Sequence, residues 1–248
     1  MAGRLAFLPC KTLLQRCEAG SVRRCRSLAD YDDGAVVPVG DWQPLTTTEA
    51  ERLWADADTP DGTVIELIRL RSALAGKALN LDELTVGLEP FANRWKPEFL
   101  GCATAGGGSW TTTEDAAKGR RLGLHVDNWD RLRHGARHIG RRRLCLNLGP
   151  GPRYLLIGDR TVEEICEALY EDVSQRYPHT DDIRRYVEQG QELRSLRIRL
   201  EPGEGYIAPT ELLPHDGSTQ DVVQPSTAAF WLGRWPVRGL DGPLVASG

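Results

Sequence analysis

Apolar positions along this chain follow two rhythms. From Phe99 onward, short apolar runs alternate with glycine-rich turns: Phe99-Leu-Gly-Cys-Ala-Thr-Ala, the segment around His125, Arg143-Leu-Cys-Leu-Asn-Leu-Gly, Arg153-Tyr-Leu-Leu-Ile, Tyr206-Ile-Ala and Ala228-Ala-Phe-Trp-Leu-Gly. Runs of this length between turn residues predict strands. Ser195-Leu-Arg-Ile-Arg-Leu alternates strictly and predicts a half-buried, edge-like strand. Elsewhere the pattern is helical. Thr48 stands three residues before Glu51, a capping-box spacing that predicts a helix through about Ala57. Thr63 to Gly76 mixes two- and three-residue spacings, and its length favours helix. Thr161 with Glu164 predicts a helix to about Tyr177, bounded by Pro178. Thr180 or Asp181 caps another, ended by Gly190, with His179 at its boundary.

Strands that cluster between glycine turns, with helices at the front and in one block near 162–190, predict a mainly β protein with flanking helices. A double-stranded β-helix core of the jelly-roll, cupin-like class fits this order, and a parallel doubly wound sheet, which needs regular strand-helix alternation, fits poorly. Residues 1–40 are expected as a peripheral N-terminal extension, arginine-rich through Arg26 and ending in the strand-like Ala35-Val-Val-Pro-Val. Residues 41–248 then form a single domain, with the 162–190 helices as an insertion outside its sheets.

Composition narrows the partners. The 248 residues carry a net charge of -4, which argues against nucleic-acid binding, because tracking phosphates needs a surplus of Lys and Arg. No apolar run approaches the ~20 residues of a membrane span. The six cysteines include no Cys-x-x-Cys pair, so reduced thiols and a cytoplasmic location are expected. Charge and composition leave the oligomeric state unread.

The candidate chemistry centres on two histidines far apart in sequence. In an extended segment, residues two apart face the same side, so His125 and Asp127 can bind one metal together, with His215 arriving from a distant strand. Two imidazoles and a carboxylate on one face of an octahedron leave three positions open, the arrangement of non-haem iron(II) oxygenases. His134 and His138 lie four apart, but in a basic, glycine-broken stretch read as a solvated loop over the site. Arg234, on the run after His215, is expected to face an apolar interior with Phe230 and Leu232, where a guanidinium needs an anion. Arg238, Arg153 and Arg143 are the fallbacks. Asn147 is expected to face inward, bound either to a carboxylate or to neighbouring backbone. Trp110, Trp129 and Tyr206 are read as walls of a substrate pocket or as core. Ser109 to Gly119 has the polar texture of a flap that touches substrate.

The order His125-x-Asp127, distal His215, trailing Arg234 resembles the iron(II)/2-oxoglutarate-dependent oxygenase superfamily over roughly residues 100–236. The resemblance implies Fe(II) on His125, Asp127 and His215, with 2-oxoglutarate as cosubstrate and its far carboxylate on Arg234. It implies a dioxygenase that hydroxylates an unactivated C–H bond of a small-molecule substrate such as an amino acid or natural-product intermediate. Desaturation or cyclisation are other outcomes of the same chemistry. Halogenases of this superfamily lack the carboxylate that Asp127 supplies. The alternatives are a cupin-like metal or small-molecule binding protein and a zinc hydrolase, which would want a general base nearby.

Overall fold

The computed structural model describes residues 6–8, 10–26, 28–69 and 97–235. In chain order its elements are β1 (Ala6–Leu8), α1 (Cys10–Arg16), β2 (Cys17–Arg24), β3 (Tyr31–Pro38), β4 (Gln43–Pro44), α2 (Thr47–Leu53), β5 (Val64–Arg69), β6 (Glu98–Ala105), β7 (Glu114–Asp115), β8 (Arg120–Gly123), β9 (Arg142–Pro150), β10 (Arg153–Gly158), α3 (Val162–Leu169), α4 (Thr180–Glu188), β11 (Arg194–Leu200), β12 (Glu204–Ala208), β13 (His215–Ser218) and β14 (Ser226–Gly233). The strands form two sheets. One runs β1-β5-β12-β9-β14-β6. The other, more curled, runs β13-β10-β11-β2-β3-β8-β7, with β4 beside β2.

Side-chain alternation builds the core. Leu155 and Ile157 of β10, Leu196, Ile198 and Leu200 of β11, and Cys17 and Ala19 of β2 meet Ile65, Cys145, Tyr206, Ala208 and Ala228 of the facing sheet. Burying each large aliphatic side chain contributes about 1.5–3 kcal/mol. Leu156, between the two inward residues of β10, packs instead with Val162, Ile165, Ile183 and Tyr186 of α3 and α4. The 162–190 helices therefore cover the outer face of the second sheet. α3 starts at the Thr161/Glu164 capping box and α4 is capped by His179. α3 ends at Leu169, well short of Tyr177.

Four expectations are corrected. The first helix box is Thr46 with Glu49, two residues before the expected pair, and α2 stops at Leu53. Val64–Arg69 is a strand, held between β1 and β12 and buried on both faces, which erases the alternation that would have revealed it. The rest of the run to Gly76 lies outside the described residues. β11 is no edge: β10 and β2 pair with its two sides. The N-terminal region is not peripheral, because β2 bonds to β11 and β3 continues the same sheet.

Candidate metal centre

His125 follows β8 and Gly123, whose φ is +73° and where a Cβ would stand 2.5 Å from the Val36 carbonyl oxygen, so no side chain fits. Past that turn the backbone of His125 forms an isolated antiparallel bridge with His215, N–H to carbonyl in both directions at 3.1 and 2.8 Å. The two rings lie 4.5 Å apart, centre to centre. The amide of Asp127 donates to the Thr210 carbonyl at 3.0 Å, keeping the segment extended. His125, Asp127 and His215 are all buried, and one ligand atom from each lies within 4.8 Å of the others. They could hold a metal ion.

The hydrogen bonds around them leave His215 Nε2 and Asp127 Oδ2 without a hydrogen-bond partner. His125 Nδ1 is 3.0 Å from the Gly123 carbonyl and His215 Nδ1 is 3.1 Å from the Leu213 carbonyl. With both Nδ1 atoms turned to acceptors, each ring offers Nε2, and His215 Nε2 has no hydrogen-bond partner. Burial and then the neighbouring His125 push the His215 pKa down to about 3 against the opposing pull of Asp127, so its imidazole is neutral, as a ligand must be. Burial would raise the Asp127 carboxyl, but Arg143 and the two histidines outweigh it and hold the group below its ordinary value. Arg143 Nη2 sits 2.8 and 2.7 Å from its two oxygens. For His125, burial works against the charged ring, and Asp216 and Asp127 overcome it and raise the pKa.

Arg143 leads into a cavity of about 320 Å³ between the sheets, lined among others by Thr112, Thr113, Arg121, Arg153 and Phe230. Arg153 is buried at the start of β10, its Nη2 donating to Thr112 Oγ1 at 3.3 Å and its Nη1 without a partner. Gly217 makes this possible, since a Cβ there would stand 2.3 Å from Arg153 Nη2 and 2.6 Å from Thr112 Oγ1.

Several expected site residues lie elsewhere. Arg234 is exposed beyond the end of β14, where it acts on Asp130 rather than on a cavity. A bulge in the β14 pairing with β6 between Phe230 and Trp231, then the end of the strand, break the alternation expected to turn it inward. Phe230 does line the cavity, with the Arg143 guanidinium 5.6 Å from its ring. Asn147 is buried but fully engaged. Its Nδ2 donates to the Gly151 and Leu200 carbonyls, and its Oδ1 accepts from the Gly149 amide and the Ser226 hydroxyl. That uses every hydrogen bond the amide can make. Trp110 packs on Tyr31 and beneath Arg23, and Trp129 is 49% exposed; neither lines the cavity. Tyr206 belongs to the core between the sheets, where burial raises its hydroxyl well above the ordinary range although Arg143 and Arg153 pull it down. Arg238 lies outside the described residues.

Two residues escaped the sequence reading. Arg137, read as part of a solvated loop, is fully buried and donates to the carbonyls of Asp127 and Glu211 at 3.0 and 3.3 Å. It also bonds the Pro178 carbonyl and Asn128 Oδ1. Asp216, beside His215, places Oδ2 3.4 Å from His125 Nδ1. Its adjacency to a candidate ligand was the one available signal. The expected flap residues Ser109, Thr112, Thr113 and Glu114 do line the cavity. No family model matches this chain, and no curated protein matches it.

Proposed function

We propose that this protein is an iron(II)- and 2-oxoglutarate-dependent oxygenase acting on a small molecule, with Arg153 in place of Arg234 as the cosubstrate anchor. The observation that carries the reading is the buried His125-Asp127-His215 group beside a cavity that holds a buried arginine with an unpaired Nη1. The site's charges support it. Arg143 pairs with the buried Asp127 carboxylate, and Arg153, with its unpaired Nη1, lines the same cavity as Arg143. A divalent ion on the three ligands adds two positive charges near the buried Arg153, and a dianion offsets them; unpaired charge in such a place is costly. A two-histidine, one-carboxylate set suits iron(II) with open positions.

Strand order supports the jelly-roll reading. Numbering β6, the His125 segment, β9, β10, β11, β12, β13 and β14 as one to eight, one sheet contains the neighbours one, eight, three, six. The other contains two, seven, four, five, joined by the His125 bridge. Two interleaved Greek keys have this order.

When bound, iron(II), 2-oxoglutarate and dioxygen supply oxidative decarboxylation to succinate and carbon dioxide, coupled to oxidation of a substrate C–H bond. The chain's own residues position the parts. His125, Asp127 and His215 hold the ion, Arg143 keeps Asp127 ionised, and Arg153 receives the far carboxylate through a charge-assisted bond. The cavity volume is at the small end for ligand sites, which favours a small substrate or the tip of one.

Anaerobic titration tests this directly. The iron(II)-loaded protein should bind 2-oxoglutarate with a visible charge-transfer absorption, and admitting air should release succinate. Iron loading without either signal would overturn the oxygenase reading in favour of a metal-binding jelly roll.

A further inference from the structure

We infer that Asp216 is a positioning residue that holds a metal ligand and the cavity wall together through its two carboxylate oxygens. The inference rests on the metal-centre reading above and adds a residue to it. The Asp216 side chain is wholly enclosed. Among the described residues, the one basic group within ion-pair distance of its Oδ2 is His125 Nδ1, at 3.4 Å. That nitrogen also faces the Gly123 carbonyl. The Gly123 carbonyl takes the proton on Nδ1, and the buried Oδ2 adds a negative charge 3.4 Å away without a hydrogen bond of its own. Nε2 is left as the ligand atom, close to the arrangement in which a carboxylate orients a metal-binding histidine.

The other oxygen does different work. Asp216 Oδ1 accepts from the amides of Thr112 and Thr113, both at 3.1 Å, from Thr113 Oγ1 at 3.0 Å, and from the Gly217 amide at 2.6 Å. Thr112 in turn accepts from Arg153. One carboxylate therefore touches the ring that would hold the metal and, through one threonine, the guanidinium that would hold the cosubstrate. A loop staple alone would use Oδ1 and leave Oδ2 for solvent or a second loop donor; here Oδ2 is buried without a hydrogen bond, and the basic group beside it is His125 Nδ1 at 3.4 Å. The separation of tasks between the two oxygens makes them separable by mutation.

Asp216→Asn retains Oδ1 and replaces Oδ2 with an NH₂ donor set against the Nδ1 proton of His125. Titrated with iron(II) or cobalt(II) alone, without cosubstrate, this variant should bind metal about 10- to 100-fold more weakly than wild type. Its thermal midpoint and the amide exchange of Thr112 and Thr113 should stay near wild type. Asp216→Ala should lose metal affinity similarly, exchange those two amides faster, and bind 2-oxoglutarate more weakly when saturated with metal. Thr113→Val, which removes one bond to Oδ1 and none to Oδ2, should keep wild-type metal affinity. Undiminished metal affinity in Asp216→Asn would reduce Asp216 to a loop staple and overturn the inference. Unchanged Thr112 and Thr113 protection in Asp216→Ala would overturn its second half. A wild-type protein that takes up no metal would overturn the metal centre itself, whereas an intact Asp216 effect without 2-oxoglutarate binding would sink only the cosubstrate assignment.

Discussion

At the scale of single residues, what separates a functional arginine from a surface one is where its unpaired N–H groups end up. Arg153 has a buried Nη1 with no protein acceptor, and Arg234 is in solvent. Arg153→Leu should therefore weaken 2-oxoglutarate binding by roughly 30-fold or more, since stranding a buried charge costs ~2–5 kcal/mol. Arg234→Leu should leave it unchanged. Calorimetric titration of each iron(II)- or manganese(II)-loaded variant decides between them, and the opposite ranking would return the anchor to Arg234. The His125/Asp127 pair was legible because its geometry is local: two residues apart in extended chain share a face whatever the fold. Asn147 illustrates the contrary case. Nothing in its sequence neighbours reveals that a carbonyl on β11 and a hydroxyl on β14 have already taken its capacity.

Among elements, a start marked by one unambiguous local signal is legible in sequence, whereas ends and caps with competing candidates are set by neighbours. The Thr161/Glu164 box marks α3 because its two reciprocal bonds form within one turn. In Thr46-Thr-Thr48, three candidates compete, and Arg194 of β11 helps place the acid: Glu49 bonds Thr46 and pairs with Arg194 at 2.8 Å. The Thr46 amide first, and Arg194 next, bring the Glu49 pKa down to about 2 from an ordinary 4.5. A depressed carboxyl contributes stability that is complete above pH 4.5 and lost as pH falls toward 2. The urea midpoint of wild type should thus exceed that of Glu49→Gln at neutral pH, by an amount typical of an exposed cap. The gap should narrow below pH 4.5 and close near pH 2. A gap that is independent of pH would deny the carboxylate this role. β5 is not separable from helix in sequence for the reverse reason, as burial on both faces removes the period of two, and its Glu66 is neutralised by Arg142, a residue far along the chain.

For the whole molecule, the N-terminal strands decide stability. β2 covers the side of β11 that would otherwise be open, and it supplies Cys17 and Ala19 to the core between the sheets, while Val36 of β3 joins the layer under α3 and α4. Deleting residues 1–40 should expose a long, apolar strand edge, a template for aggregation. The truncated chain should lack a cooperative thermal transition and sediment as aggregate. A soluble, cooperatively unfolding 41–248 fragment would restore the extension to a peripheral part. Core truncation gives a second measure: Ile157→Ala, opposite His215 in the β10–β13 pairing, should cost about 2–5 kcal/mol in denaturant unfolding. A loss below about 1 kcal/mol, the scale of a tolerated swap, would show the core to be loose there.

The amino-acid sequence by itself determined the strand-rich class, the α3 cap, the boundary at His179 and the His125/Asp127 face, because each depends on bonds within a few residues or on the fixed periods of strand and helix. Only the tertiary structure decided that His215 stands across from His125, that Arg153 rather than Arg234 faces the cavity, that Asp216 lies beside His125 and Arg137 bonds the Asp127 carbonyl, and that β2 and β3 are sheet strands. Those facts depend on which distant segments pair and at what register, and on bulges and strand ends that turn a side chain inward or out. A buried charge or amide takes its role from partners that the fold brings to it.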